Sequence, residues 1–254
     1  SPKVMRAAIE QKSLHRAGRI VGVSHYVVDR PAELVGLDAR NISVIPNGVD
    51  TDVFHPTVET TCEPDTVVFV GTLCEKKGLR YLVQAIETLH REGRPVRHVD
   101  KGRDLGSSNG SGSFLEEVVS TVDASVGDAV EYLGPIPHSE MPAVYARGAV
   151  VALPSLMEAQ GIAWIEAMAC GKAVVASNRG PGNEVIEDGV SGLLCNPVEA
   201  DQIAAGLRTL MDDSAHAAKL GKQARRRVLD HFSLETTAVA NIALYNEVAD
   251  HASP

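Results

Sequence analysis

From residue 66 onwards, short apolar runs alternate with longer segments whose apolar residues recur every three or four positions. The short Val-rich runs predict buried strands, and the longer spacing predicts helices with one apolar face. This alternation favours an α/β fold, in which helices cover both faces of a doubly wound parallel sheet. Strands are predicted at residues 66–70, 96–99, 129–133, 150–153, 173–176 and 192–194, and helices at about 77–92, 113–126, 138–147, 161–170 and 198–212.

The two ends of the chain have a different pattern. The first 45 residues predict two helices and two short strands, with Ser24 as a plausible N-cap of the second helix. Pro46-Asn47-Gly48 is a turn signal, best explained by simple chain reversal. Residues 57–65 are polar and predict a linker, whereas 214–230 and 233–250 predict helices. Arg225-Arg226-Arg227 is expected to form a solvated helix face rather than a nucleic-acid patch.

Composition narrows the class of protein. The chain has 254 residues, 44% of them apolar, and a net charge of −9, which disfavours nucleic acid as a partner. Its four cysteines form no C-x2-C pair, so neither a zinc site nor a disulfide framework is predicted, and a reducing cytoplasm is expected. The nine histidines show no metal-binding spacing, and no apolar run is long enough to span a membrane. Since Ser1 stands where an initiator Met would be, we expect a cut end.

The most informative stretch runs from residue 149 to residue 171. A buried strand is broken by Pro154 and Ser155, and a short helix then runs from Gly161 to a stop at Gly171. That helix is apolar almost all round, which is typical of a buried helix, and Glu166 is its single charged residue. A second carboxylate, Glu158, lies in the loop that precedes it.

A strand, a loop and a helix N-terminus at the carboxyl edge of an open sheet form a site that favours anions. Carboxylates do not bind phosphate, but they accept hydrogen bonds from hydroxyl groups. The combination predicts a pocket for a sugar nucleotide. The alternative is that Glu158 is a solvated loop residue and Glu166 a surface residue.

These residues resemble a known family. Glu158 and Glu166 have the spacing of the E-x7-E motif of the retaining GT-B glycosyltransferases of family 4, and residues 154–177 resemble that family's donor-site signature. The resemblance implies that Glu158 meets hydroxyls of the transferred sugar and Glu166 those of the ribose. It also implies that backbone amides face the donor sugar and phosphate at Gln160, Gly161, Ile162 and Ala163.

The loop from Gly71 to Gly78 is the first β–α loop of the repeating region. Lys77 at a helix N-terminus is a natural diphosphate ligand, although a plain surface lysine is the alternative. The resemblance implies a G-R-x4-K-G loop here, in which Lys77 matches the lysine. Thr72 stands where the family has arginine, so half of the expected positive charge is missing. Lys76 and Arg80 are the candidates to replace it.

Four further segments bear on function. Asp100 follows the second strand and would repel a diphosphate if it pointed inward; pairing with Lys101 or Arg103 is the alternative. Gly106, Ser108 and Gly110 form a formal G-x-S-x-G, so a serine hydrolase using Ser108 is a remote alternative.

Glu184 lies in a segment that resembles another family motif and is expected to be structural. The backbone from Gly134 to His138 is either a rigid turn or, by the resemblance, close to the nucleobase.

Together the resemblance implies a Rossmann-like nucleotide-sugar domain over residues 41–230. Residues 1–40 would be a remnant of an N-terminal acceptor domain, and 231–254 a crossover helix returning to it. The resemblance also implies that residues 42–56 form the crossover between the domains, as the alternative to a plain chain reversal. The implied reaction is transfer of a hexosyl group from a nucleoside diphosphate sugar to a carbohydrate or lipid acceptor, with retention and without metal or other cofactor. It fits bacterial polysaccharide biosynthesis, with possible membrane contact through the absent domain. The alternative is a donor-binding module that is inactive without that domain.

Overall fold

A six-stranded parallel sheet forms the centre of the protein in a computed structural model that describes residues 2–57, 60–107, 110 and 112–252. Its strand order is β5-β4-β3-β6-β7-β8, so the chain starts in the middle, winds to one edge, and returns to wind to the other. The predicted doubly wound, Rossmann-like sheet is confirmed. Its strands are β3 (Glu63–Val70), β4 (Arg97–Lys101), β5 (Val130–Gly134), β6 (Gly148–Leu153), β7 (Val174–Ser177) and β8 (Leu193–Cys195).

Helices cover both faces of this sheet because its central strands are apolar on both sides. Every residue from Val67 to Val70 and from Val150 to Leu153 is buried, as expected for a parallel sheet between two helical layers. The helices of this region are α3 (Leu79–Arg91), α4 (Phe114–Val119), α5 (Ala124–Asp128), α6 (Met141–Arg147), α7 (Ile162–Ala169), α8 (Gly182–Val185), α9 (Ala200–Asp212) and α10 (Ser214–His231).

Two local predictions differ from the structure. The linker predicted at 57–65 ends early, since β3 already begins at Glu63. The single helix predicted at 113–126 is two short ones. The Thr121 hydroxyl donates to the Val118 carbonyl at 2.7 Å as α4 ends, and the Asp123 carboxylate caps α5 by accepting from the Ser125 N–H. Such side chains compete with the helical hydrogen bonds, which explains the break.

A second, two-stranded parallel sheet lies in the N-terminal part. The elements here are α1 (Pro2–Arg16), β1 (Ile20–Gly22), α2 (His25–Val35) and β2 (Ile42–Val44), and β1 pairs with β2. The predicted boundary between residues 40 and 41 would assign β2 to the large domain, whereas its hydrogen-bonded neighbour is β1. The division of the chain into domains stays a prediction.

The C-terminal segment is fastened to the crossover that follows β2. Val49 donates to the Phe232 carbonyl at 2.9 Å, and the N–H of Leu234, the first residue of α11 (Leu234–Ala252), donates to the Val49 carbonyl at 3.0 Å. Arg225 of α10 donates to the carbonyls of Thr51 (3.0 Å), Phe54 and Ala169 (2.8 Å).

The prediction of a solvated face at 225–227 is therefore wrong for two of its three arginines. Arg225 binds the carbonyls just described, and Arg227 donates to the carbonyls of Glu184 and Val185 at 2.8 and 2.7 Å. Arg226 alone of the three is highly exposed. The long arginine stem allows a residue on a polar stretch of sequence to reach backbone oxygens that would otherwise have no donor.

Asp104 organises the glycine- and serine-rich loop between β4 and α4. Its carboxylate accepts hydrogen bonds from the N–H groups of Gly106, Phe114 and Leu115 and from the Ser113 hydroxyl. Burial raises the pKa of this carboxyl, but these four hydrogen bonds outweigh it and lower the pKa to about 2. Ser108 lies outside the described residues. Because β4 ends at Lys101 and α4 begins only at Phe114, the loop lacks the direct strand-to-helix turn that a nucleophile elbow requires.

Asp100 points neither into the donor-side loops nor towards Lys101 or Arg103. It is fully buried on one face of β4 together with His98, and the two side chains approach to 2.8 Å between His98 Nε2 and Asp100 Oδ1. The alignment of this contact is poor, and none of the four polar atoms has a well-formed hydrogen bond among the described residues. Asp100 is thus a cost to folding that its histidine neighbour partly offsets, rather than a charge facing a ligand.

We expect Asp100→Val to destabilise the protein by about 2–4 kcal/mol, because it leaves His98 buried without its partner. The double variant His98→Leu/Asp100→Val replaces both polar groups with apolar ones and should lose less than the single variant. Urea unfolding of the wild type, both single variants and the double variant measures the coupling. Additive losses in the double variant would contradict this account.

Candidate functional site

The two loops that follow β3 and β6 meet at the carboxyl edge of the sheet. These strands are neighbours in space, although one belongs to each half of the winding, so the two loops lie side by side at the switch point of the sheet. The surface between and around these two loops is called the crevice. Ligands bind at such a switch point in open α/β sheets. Lys77 from the first loop and Glu158 from the second form an ion pair here, with Lys77 Nζ 2.6 Å from Glu158 Oε1. The structure brings together two predicted site residues that are 81 positions apart.

Backbone contacts hold the first loop against the second. Glu75–Lys77 form a single 3-10 turn, and the following Gly78 has φ +77°. A Cβ on Gly78 would lie 1.9 Å from the Pro154 carbonyl oxygen, so only glycine permits this approach. The N–H of Leu156 donates to the Lys76 carbonyl at 2.8 Å. Lys77 is therefore presented to the crevice from a fixed backbone, and Gly71 lies beside its aliphatic stem.

The charge missing at Thr72 has no replacement from Arg80. The Arg80 guanidinium donates to Glu117 at 2.7 Å and to Glu75 at 3.2 Å, and the hydrogen bond to Glu117 raises the pKa of Arg80. This arginine is bound within the helical layer. Lys76 is exposed beside Lys77 and stays available. Thr72 itself is partly exposed at the start of the loop.

The second loop leads into the N-terminus of α7. Gly161 has φ +84°, and a Cβ there would lie 2.1 Å from the Trp164 ring. Trp164 is buried and donates from Nε1 to the Leu153 carbonyl at 3.0 Å, which locks the first turn of α7 onto the end of β6. The N–H groups of Ile162 and Ala163 begin the helix and have no carbonyl one turn earlier to bind. They supply anion-binding donors at this edge.

Gln160 is buried, and its side chain is turned away from the loop's open side. Its amide binds the backbone of Asn47 at both ends, accepting from the Asn47 N–H at 2.7 Å and donating to the Asn47 carbonyl at 3.0 Å. The turn at Pro46-Asn47-Gly48 is thus more than a chain reversal, since it docks on the site loop. Gln160 can offer the crevice its backbone but not its side chain.

The N-terminal unit is fastened to the same loop. Ser24 precedes α2, as predicted for its N-cap, but its hydroxyl donates to the Ala159 carbonyl at 2.6 Å and makes no capping bond. The first N–H groups of α2, at His25 and Tyr26, donate instead to the Glu184 carboxylate at 2.7 and 2.8 Å. Glu184 thus has a structural role, as expected, and it caps a helix that lies 158 positions earlier in the chain. The sequence carried no signal for the Ser24 contact.

Glu166 is almost buried in α7 and has two side-chain donors. The Tyr145 hydroxyl donates to Oε2 at 2.7 Å, and His138 Nε2 lies 2.9 Å from Oε1. Burial and the charge of Glu166 raise the pKa of Tyr145 well above its usual value, so Tyr145 keeps its proton at neutral pH. His138 is largely exposed and rests edge-on against Phe54 at 4.9 Å between ring centres. The predicted alternative, in which Glu166 is a surface residue of the helix, is not what the structure has.

The position of Glu166 on α7 relates it to the open side of the site. Ile162 lies one turn earlier on the same helix face and is exposed. Oε1 of Glu166 lies beside the largely exposed His138 ring, whereas Oε2 accepts from the buried Tyr145 hydroxyl. Sequence reasoning did not find Tyr145 or the His138 contact, because both come from residues around α6.

The arrangement offers one cation, one helix N-terminus and two carboxylates along a single edge. An anionic group can bind at Lys77 and the first turn of α7, and hydroxyl groups can donate to Glu158 and Glu166. Within the described part of the chain, no cluster of three or more His, Cys, Asp or Glu residues could hold a metal ion. None of the helices described has the length and apolar character needed to cross a membrane.

Known proteins share this sequence and fold. The chain is 30% identical over 247 residues to D-inositol 3-phosphate glycosyltransferase of Paenarthrobacter aurescens, which covers 94% of this chain and 59% of that protein. Sucrose-phosphate synthase of Thermosynechococcus elongatus has the same fold with a TM-score of 0.84 at 26% identity, covering 98% of this chain and 62% of that one. HepE of Anabaena, solved with UDP-glucose, shows the fold at a TM-score of 0.82 and 21% identity, with coverages of 98% and 70%.

Two family models match the chain directly. The model described as glycosyl transferases group 1 matches residues 52–227, which contain the whole six-stranded sheet and every predicted site residue. The model of glycosyltransferase family 4 matches residues 2–53, which contain the two-stranded sheet. The chain therefore belongs to the group 1 glycosyl transferases, the GT-B glycosyltransferases of family 4 type.

Proposed function

We propose that this chain binds a nucleoside diphosphate sugar at the crevice between the loops after β3 and β6, and that the protein transfers the hexosyl group to a carbohydrate or lipid acceptor. The contact between Lys77 and Glu158 carries the proposal. It puts a cation for the diphosphate beside a carboxylate for the sugar hydroxyls, at the edge where open α/β sheets bind ligands. The relative solved with UDP-glucose supports the donor class.

In this proposal the leaving diphosphate is stabilised by Lys77 and by the N–H groups of Ile162 and Ala163. These groups are already oriented in the folded protein, so stabilising the developing charge requires little reorganisation. Glu158 and Glu166 act as positioning residues that fix the sugar and the ribose. We further propose that transfer retains the anomeric configuration and that it needs no metal ion. Activity in the presence of EDTA would test the second point.

The chain spans 59% of the length of the inositol phosphate glycosyltransferase that it matches. We therefore propose, rather than infer from that relative, both the class of acceptor and the activity of this chain by itself. The competing candidate is a donor-binding module without turnover, which nucleotide binding without transfer to any acceptor would favour.

We also propose a reducing, cytoplasmic setting, which the four free cysteines support.

Calorimetric titration of the chain with UDP, GDP and ADP and with their glucose or mannose conjugates tests donor binding. Lys77→Met should weaken binding of the nucleotide and of the nucleotide sugar alike, by about 10–100-fold, because both contain the diphosphate. Lys222→Met, at an exposed lysine of α10 outside the two site loops, is the matched control and should have a much smaller effect. If no nucleotide bound, or if both variants behaved alike, the proposed donor site would be wrong.

Glu158→Gln should act differently on the two ligands. The diphosphate of a free nucleotide would bind Lys77 and leave the Glu158 carboxylate without a partner. The nucleotide sugar also binds Lys77, but its hydroxyl groups donate hydrogen bonds to Glu158. Removing this charge should therefore tighten or preserve nucleotide binding and weaken nucleotide-sugar binding, changing the ratio of the two dissociation constants by about tenfold. An unchanged ratio would show that Glu158 does not meet the sugar.

Glu166→Ala should remove the protein's preference for ribose. We expect the wild type to bind the ribonucleoside diphosphate at least tenfold more tightly than its 2′-deoxy analogue, since each hydroxyl donated to a carboxylate contributes about 1.5–3 kcal/mol. Competition binding with both nucleotides measures the preference. Glu235→Ala, on the exposed start of α11, should leave it intact. A preference that survived in Glu166→Ala would place the ribose elsewhere.

A further inference from the structure

A second cavity lies at the opposite, amino-terminal edge of the sheet. Its volume is about 490 Å³, enough for a small phosphorylated metabolite, and none of the predicted donor-site residues lines it. It is bounded by the start of β3, the turn that follows α3, the turn between α7 and β7, and the junction of α9 with α10. The lining residues are Cys62, Pro64, Asp65, Arg94, Ala149, Gly171, Lys172, Ala173, Leu210, Met211, Ser214, Ala217 and Ala218.

Lys172 is the first of two cations in this cavity. Its side chain is partly buried, and its Nζ donates a long hydrogen bond, 3.5 Å, to the Ala146 carbonyl. Among the described side chains no carboxylate lies within 4.0 Å of Nζ. A partly buried ammonium group is normally paired with a carboxylate or fully hydrogen-bonded. Burial lowers the pKa of Lys172, and the thiols of Cys62 and Cys170 are its titratable neighbours.

Arg94 is the second cation and is only partly satisfied. Its Nη2 donates to Asp212 at 2.5 Å, and its Nε lies 3.7 Å from Asp65. Its remaining nitrogen, Nη1, is buried and has no hydrogen-bond partner in the described part of the chain. An unpaired buried donor on a charged group is costly, so a shift of the Arg94 side chain that brings this nitrogen to an acceptor in the cavity would be favourable.

The rest of the cavity suits an organic molecule with a charged head. Leu210, Met211 and Ala217 give it an apolar wall. Ser214 begins the 18-residue helix α10, whose N-terminus favours negative charge, although Asp213 already caps the His216 N–H. Asp65 occupies the left-handed region, with φ +52°, where the pairing of β3 with β6 is irregular.

We propose that this cavity is a second binding site, separate from the donor crevice, for a small organic anion whose phosphate or carboxylate group accepts hydrogen bonds from Lys172 Nζ and Arg94 Nη1. The anion supplies an acceptor for Arg94 Nη1, which has none among the described residues, and a charged partner for Lys172 Nζ, which otherwise donates to the Ala146 carbonyl. Its apolar or sugar portion lies against α9 and α10. This inference stands independently of the proposed transfer reaction, because it uses no residue of the donor crevice.

The test is thermal unfolding in inorganic phosphate or citrate, each compared with NaCl of equal ionic strength. Phosphate also has access to Lys77, so the measurement is made in the wild type, Lys77→Met and Lys172→Met. We expect saturating anion to raise the melting temperature by about 2–4 °C in the wild type and in Lys77→Met. The rise should disappear in Lys172→Met and persist in Lys222→Met, an exposed control on α10.

Each other outcome would overturn the site. A rise that vanished in Lys77→Met but persisted in Lys172→Met would place the anion in the donor crevice. An equal rise in every variant would indicate a nonspecific salt effect, and no rise in the wild type would mean that the cavity binds neither anion. Arg94→Met is a second, independent variant in the same cavity, and it should lose the same response as Lys172→Met. A response to phosphate but not to citrate identifies the phosphate as the head group, and the reverse identifies the carboxylate.

Discussion

The ion pair between Lys77 and Glu158 depends on strand order more than on any local feature. The two residues face each other because β3, the first strand of the sheet, is the neighbour of β6, the fourth. Their side chains are only 22% and 16% exposed, so each charge needs a partner in the ligand-free protein. A ligand that separates them must satisfy both, which a diphosphate joined to a sugar does and either part alone does not.

Several remote segments hold the loop that carries Glu158. Gln160 is bound by the backbone of the crossover at Asn47, and Ala159 by the Ser24 hydroxyl of the N-terminal unit. Arg225 joins the crossover to the end of α7, the helix of Glu166. Because the loop is linked to the N-terminal and C-terminal segments, a movement of those segments relative to the large sheet would be felt at the site.

The sequence predicted the elements well and their mutual contacts poorly. Short, mostly apolar runs of three to five residues located all six strands of the large sheet, and Gly171 correctly marked the end of α7. Lys77 and Glu158 were each placed at a strand's carboxyl end, but periodicity does not order the strands, so their direct pairing was not predictable. Arg225 seemed solvated in the sequence because its partners are backbone carbonyls, which any residue supplies. The second strand was predicted to end at residue 99, so Asp100 was not expected on the buried strand face that it shares with His98.

A crystal structure of this chain with UDP-glucose tests the central claim most directly, since the claim concerns which atoms meet the donor. We predict that the Lys77–Glu158 contact opens, with the diphosphate between Lys77 Nζ and the first turn of α7, the sugar hydroxyls at Glu158 and the ribose at Glu166. A nucleotide bound away from this crevice, or bound there while Lys77 and Glu158 remain paired, would contradict the account.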